Sequence, residues 1–461
     1  MPFDLRELLD ARRGENYELQ GKFVNHQVPR VLRAIGFDKI YESAQGCYLI
    51  DSEGNRYLDM LAGFGVFGVG RNHPVVRKAL HDLLDSGIAD MVQFEAPLLA
   101  GLFAEKLLAK APGLDRVFFC NSGSEAVEAA LKFARSVTGK PRILHLDHSY
   151  HGLTAGALSV NGAAEFRKGF GPLLPGTSIQ FGDLDAVRRE LKKGDVAALL
   201  VEPIQGKGVH IPPSGFLLAA QKELRQHDAL LICDEVQTGI GRTGRFFAYE
   251  HEGVQPDIVA VAKALSGGFV PIGATLATKE VFEKVYSSMD RVFVHASTFM
   301  GNAMAMTAGL ATLSILEDEG LVDNAEKTGR LLRERLQSLT DRYELLADVR
   351  GRGLMVGIEF GKPKSLKLLA GWKMLQAARH GLFAQMVVVP LFQRHRVLTQ
   401  VAGDHIDVVK LIPPLIASET EVDMFVEAFT DVMDDAHKGS GLIWDFGRTL
   451  VTQAAKQAVK R

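Results

Sequence analysis

An α/β fold with a mostly parallel central sheet is what the sequence predicts, and three observations carry it. Strand-like and helix-like patterns alternate through the middle of the chain, which argues for a sheet covered by helices. The clearest strand runs are apolar almost without interruption, as in Ile258 to Ala262, the signature of strands buried on both faces. Most of the chemically distinctive motifs fall directly after such runs, and open sheets of this kind bind ligands at the carboxyl ends of their strands. The predicted strands are Arg116 to Cys120, Arg142 to Leu146, Ala197 to Val201, Leu230 to Asp234 and Ile258 to Ala262.

Length and composition bound the rest. A chain of 461 residues with 47% hydrophobic content can bury one large core and a smaller one, so two domains are expected. We divide it into residues 1–85, contributing to the small domain, residues 86–335 as the large ligand-binding domain, and residues 336–461 as the rest of the small domain with a terminal helix. Lys and Arg number 53 against 55 Asp and Glu, a net charge of −2 that gives no electrostatic case for nucleic acid or an acidic membrane. Small molecules are the expected partners. Cys47, Cys120 and Cys233 are too few for a disulfide framework, and residues 1–20 lack the apolar core of an export signal, so the cytoplasm is the expected compartment. No run reaches the roughly 20 apolar residues that span a bilayer. The tail from Leu442 to Arg461 mixes apolar and basic residues and is expected to be an amphipathic helix packed on its own protein.

The motifs follow in chain order. In FFCNSGSEAVEAALKFAR a strand, a small-residue loop and a helix succeed one another. Ser122, Gly123 and Ser124 there offer backbone N–H groups and hydroxyls at a helix N-terminus, where phosphate binds readily. Taken alone, a simple Ser N-cap explains the same residues equally well. Tyr150 and His151 follow the next strand, where an aromatic ring can stack on a flat ligand; a half-buried surface pair is the plainer assignment. Glu202 ends a strand in VEPIQGKG and is either a site acid or a turn cap. Thr298, in HASTFMGNAMA, reads as an ordinary N-cap on local grounds.

The most informative stretch runs from Leu230 to Ala274. Asp234 ends one apolar run and Lys263 ends another. An acid after a strand is more often a turn residue, and a lysine beside small residues is more often solvated. Yet a carboxylate at a buried strand end can hold a proton on a ring nitrogen, and a lysine pointing inward is desolvated toward the neutral amine that attacks carbonyls. Together the pair suggests pyridoxal phosphate. The loop between them contains Gly239, Gly241 and Gly244 in GxGxxG spacing, a weak dinucleotide signal. Four residues, Glu235 to Thr238, separate the strand-ending acid from the first glycine, and the sequence after it does not read as a glycine-opened helix, so the match is taken as chance.

The same stretch resembles the signature of class III, ω-type, pyridoxal-phosphate aminotransferases. The resemblance rests on Asp234 followed by Glu235, Val236 and Gln237, the Gly/Arg/Thr-rich loop from Gly239 to Arg245, the pair Pro256 and Asp257, then Lys263 and the glycines Gly267 and Gly268. It extends from about Tyr48 to Met433. It implies a fold-type I transferase with pyridoxal 5'-phosphate as cofactor, Lys263 as the Schiff-base lysine that also moves protons, and Asp234 as the partner of the ring nitrogen. By the same resemblance Ser122, Gly123 and Ser124 hold the phosphate, Tyr150 stacks on the ring with His151 beside it, Glu202 lies near the ring, Val236 packs behind it and Gln237 bonds its phenolic oxygen. Thr298 is matched to a threonine that reaches the neighbouring subunit's cofactor, which implies a homodimer.

Two positions depart from relatives that handle α-amino acids. An arginine before the PPL motif is replaced by Lys410, and a glutamate after EPxQG by Lys207. Lysine lacks the planar fork that grips a carboxylate, and two lysines cannot pair with each other. The expected reaction is therefore transfer from a diamine, polyamine or ω-amine to a keto acid such as pyruvate or 2-oxoglutarate. Arg394 or Arg396 is the candidate for the acceptor's carboxylate, against a solvated surface role. Competing readings are a decarboxylase, racemase or aminomutase on the same fold, an ornithine-type aminotransferase, a nicotinamide oxidoreductase and a non-catalytic binding protein.

Overall fold

The computed structural model describes residues 3–92, 94–441, 444 and 447. Its strands in chain order are β1 (Tyr41–Gln45), β2 (Tyr48–Asp51), β3 (Arg56–Asp59), β4 (Arg116–Cys120), β5 (Arg142–Leu146), β6 (Gly176–Ile179), β7 (Val196–Val201), β8 (Leu230–Asp234), β9 (Ile258–Val261), β10 (Gly273–Ala277), β11 (Leu346–Arg352), β12 (Met355–Phe360), β13 (Val397–Leu398), β14 (Gln400–Val401) and β15 (Val408–Leu411). Among the described residues they form a central sheet in the order β4-β10-β9-β8-β7-β5-β6 and two four-stranded sheets, β1-β2-β3-β13 and β11-β12-β15-β14.

The central sheet is parallel from β9 through β6, while β10 runs antiparallel to both of its neighbours, β4 and β9. The mostly parallel sheet is thus as expected, and all five predicted strands are present within one residue at either end. β6 and β10 are additions. GTSI is mostly polar and GATLA is built mainly from small residues, so neither reads as a continuous apolar run; pairing in the folded chain makes them strands.

Alternation places the sheet between two layers. Ile143, Ala198, Leu200, Ile232 and Ala260 pack with the helix Gly123–Thr138, whereas Leu144, Leu199, Leu231, Cys233 and Val259 join the larger core on the opposite face. Burying one such Leu, Ile or Val contributes about 1.5–3 kcal/mol. The helix Gly123–Thr138 is cut to fit: Ser122 caps it by accepting from Glu125 N at 3.2 Å, Gly139 ends it at φ 68°, and Ala126, Val127, Ala130, Leu131, Phe133 and Ala134 face inward.

The GxGxxG loop opens no helix. It is a run of turns whose Arg242 is wholly buried and donates to the carbonyls of Leu354 and Pro413. Gly244 has φ 81°, and a Cβ there would stand 2.4 Å from Glu326 Oε2, so close packing explains that glycine. The expected terminal helix lies outside the described residues except for Trp444 and Gly447; Trp444 is buried and its Nε1 donates to Ala436 O at 2.8 Å. Among the described residues no helix is long and apolar enough to cross a membrane.

Candidate active site

Because β4, β5, β7, β8 and β9 point the same way, their carboxyl ends converge on one cavity of about 900 Å³. Ser122, Gly123 and Ser124 follow β4, Tyr150 and His151 follow β5, Glu202 follows β7, Asp234 ends β8, and Lys263 stands two residues past β9. All of these line the cavity, together with Val236 and Gln237. Of the residues singled out in the sequence, Thr298 is absent from the wall: it is exposed, although its neighbour Ser297 accepts from Asn121 Nδ2 at 2.9 Å at the cavity's edge.

Asp234 is buried and fully engaged. Its Oδ1 accepts from Val236 N at 3.0 Å, and its Oδ2 lies 2.7 Å from His151 Nδ1. His151 is held in turn through its backbone N–H, which donates to Asn161 Oδ1 at 2.6 Å. Glu202 accepts from Tyr150 N at 2.9 Å and Gly206 N at 2.8 Å, tying the two strand-end loops together; burial raises its pKa. This is more than a turn cap. Lys263 has φ 48°, a left-handed backbone that costs a non-glycine residue energy and that recurs at functional sites. Burial lowers its pKa, opposed by the charges of Asp234 and Glu202.

The two lysines that depart from the pattern both line this cavity, and each has found a partner. Lys410 is buried, donates to Gly206 O at 2.7 Å and Gln237 Oε1 at 3.1 Å, and has its pKa pushed down to about 7 by burial first and then by Lys263. Lys207 pairs with Glu165 at 2.6 Å. Gln237 also donates through Nε2 to Phe64 O at 3.0 Å, which leaves one amide hydrogen for a ligand.

The two arginines are elsewhere. Arg394, on the helix Leu382–His395, is clamped by Asp431 and Asp435 at 2.6 Å each, and Arg396 is that helix's C-terminal cap. Neither lines the cavity, so the expectation that one of them grips the acceptor is corrected: the acidic face of the helix Glu419–His437 holds Arg394 at the surface. Sequence reading missed Asn121, Phe64 and Phe166 as wall residues; Asn121 directly precedes Ser122 in the loop already singled out, whereas Phe64 and Phe166 come from distant segments and carry no local signal.

A family model described as Aminotransferase class-III matches residues 34–433. The chain belongs to the class-III aminotransferase family. A curated relative, Aminotransferase PigE of Serratia sp. (strain ATCC 39006), is 37% identical over 460 residues, 92% of this chain and 54% of that protein. The class-III chain therefore spans about half the length of the curated relative it matches. A Toxoplasma gondii ornithine aminotransferase structure, described as having partial occupancy of PLP at the active site, superposes with a TM-score of 0.79 at 28% identity, over 95% of this chain and 100% of that one. A transaminase from the marine bacterium Virgibacillus gives 0.83 at 27%, over 92% and 100%.

The family's cofactor, pyridoxal 5'-phosphate, fits the residues present in this class-III aminotransferase. The helix N-terminus at Ser122 to Ser124 suits its phosphate. Gly123 keeps the space beside Val236 clear, since a Cβ there would stand 2.8 Å from Val236 Cγ1. Asp234 is a buried acid suited to a ring nitrogen, and Lys263 is a desolvated amine suited to the aldehyde.

Proposed function

We propose that this protein transfers an amino group from an amine without an α-carboxylate, in the class of diamines, polyamines and ω-amines, to a keto acid such as pyruvate or 2-oxoglutarate. One observation carries the reading: the wall holds Lys207 and Lys410 and, among the described residues, no arginine. A planar, bidentate grip on an α-carboxylate is therefore missing from the donor site.

When bound, the pyridoxal group supplies the aldehyde that takes up the amine nitrogen and a cationic ring that draws electrons from the adjacent carbon. Ser122, Gly123 and Ser124 would hold its phosphate, Val236 and Tyr150 its ring faces, Gln237 its phenolic oxygen and Asp234 its ring nitrogen. Asp234 is held in orientation at that position by His151 and by Val236 N. Lys263 Nζ is the base that removes a proton from the amine-bearing carbon and the acid that returns one, a task favoured by its lowered pKa. Phe64, Val66, Phe269 and Ile272 give the cavity an apolar wall beside the reacting atoms.

The functional unit of this reading is a cytoplasmic homodimer with shared sites. Supporting it, the segment around Thr298 exposes Met289, Phe293 and Phe299, and the exposed Phe94 stands edge-on to Phe293, an apolar surface suited to a second copy. The three cysteines are buried and unpaired, as suits a reducing compartment. The test is Lys263→Ala. Purified wild-type protein should be yellow, with borohydride fixing the label on Lys263; the variant should bind cofactor reversibly and lose transamination by a thousandfold or more. Near-normal turnover by the variant would sink the assignment, and a monomer at micromolar concentration by sedimentation would sink the shared site.

A further inference from the structure

The charges that face the cavity are of unequal availability. Each of the four oxygens of Asp234 and Glu202 already has a partner inside the protein, and Asp234 is in addition the acid for the ring nitrogen in the reading above, so neither carboxylate is offered to a donor's second ammonium. Lys410 is held as well, with bonds to Gly206 O and Gln237 Oε1 from a fully buried position. Lys207 differs from all of these. Its partner Glu165 is half-exposed and sits on a single helical turn, Ala164–Arg167, whereas the Lys207 side chain is only 13% exposed, so Glu165 can give way to another carboxylate but not leave the ammonium bare. Its stem runs past Gly403, where a Cβ would stand 3.5 Å from Lys207 Cγ, and its Nζ lies 4.5 Å from the centre of the Phe166 ring. Both Gly403 and Phe166 line the cavity. Lys263 serves the cofactor, so Lys207 is the other lysine of the wall whose partner can be exchanged, and it stands beside the Phe166 ring.

We propose that Lys207 is the charge filter of this cavity: it binds the carboxylate of the keto-acid acceptor and rejects donors with a second ammonium, which leaves an apolar monoamine as the donor. An acceptor carboxylate replaces Glu165 on Lys207 and needs no arginine. A diamine or polyamine has to bring its far ammonium out of water beside Lys207 and Phe166, where the carboxylates of the wall are already hydrogen-bonded, so the charge is desolvated without a partner. A simple alkyl chain meets Phe64, Phe166, Phe269 and Val401 without penalty.

This inference rests on the aminotransferase reading and narrows its donor class from diamines, polyamines and ω-amines to apolar monoamines. The experiment uses full-length holoenzyme, wild type and with Lys207→Met, Lys207→Glu or Glu165→Gln. Donors are hexylamine and 1,6-diaminohexane; acceptors are pyruvate and propanal, which has no carboxylate. Independently of turnover, propanoate binding is titrated by calorimetry. In the wild type hexylamine should exceed 1,6-diaminohexane by tenfold or more in kcat/KM. Lys207→Glu should erase or invert that ratio. Lys207→Met should raise KM for pyruvate at least tenfold, leave propanal unchanged and abolish propanoate binding, whereas Glu165→Gln should strengthen propanoate binding. Equal use of both donors by the wild type, or pyruvate and propanal affected alike by Lys207→Met, overturns the filter. A cofactor spectrum that no amine changes overturns instead the parent reading.

Discussion

His151 Nδ1 lies 2.7 Å from Asp234 Oδ2, both side chains are buried, and His151 Nε2 has no hydrogen-bond partner. The imidazole thus spends one nitrogen on fixing the plane of the acid, and its second nitrogen has no competing structural duty. His151 is a positioning residue for Asp234. Replacing it by Leu should lower kcat by roughly 10- to 100-fold, the range for losing a partner that orients a site ligand. His151→Asn, which keeps a donor near the Nδ1 position, should recover most of the loss. Equal rates for both variants would remove the hydrogen bond from the explanation.

Asp234→Asn preserves shape and removes charge. Turnover should fall on the order of 100- to 1,000-fold, as for other preorganised electrostatic groups, while circular dichroism and the thermal midpoint stay near wild type. An unchanged rate would show that the acid has only a structural role.

Gly123 has Val236 Cγ1 and Cγ2 at 2.8 and 3.1 Å and Ala262 Cβ at 3.5 Å from the place a Cβ would take. Gly123→Ala should push Val236 into the cavity and weaken cofactor binding about tenfold or more, roughly the effect of 1–3 kcal/mol of overpacking. Gly101, in the helix Leu98–Leu108, has nothing within 4 Å. Gly101→Ala should therefore leave cofactor affinity alone and stabilise the fold by about 0.5–1 kcal/mol. Titrating cofactor into both apo variants separates the two cases.

Lys410 has a folded pKa of about 7 against an ordinary 10.5, so between those values the folded protein binds fewer protons than the unfolded chain. Stability from this group therefore rises with pH across that window, by at most about 1.4 kcal/mol per pH unit, and below it the buried charge carries its full cost. Urea midpoints of wild type should climb between pH 7 and pH 9 relative to those of Lys410→Met. Parallel slopes in the two proteins would show that Lys410 keeps a normal pKa.

The sequence by itself determined five strands of the central sheet and most of the site's lining. Runs such as LLICD and IVAVA are apolar throughout, and only a strand buried on both faces tolerates that, so the residues that follow them, from Ser122 to Lys263, were placed at one sheet edge by chain order alone. Tertiary structure decided what each group touches. β10 is a strand because β4 and β9 supply its partners, and nothing in GATLA announces this. The pairing of His151 with Asp234 joins positions 83 apart, Lys410 meets Gly206 across 204, and Arg394 is turned away by Asp431 and Asp435 on another helix. Local pattern reports burial and periodicity, which depend on neighbours in sequence; hydrogen-bond partners, desolvation and the sign of the charge across a cavity depend on neighbours in space.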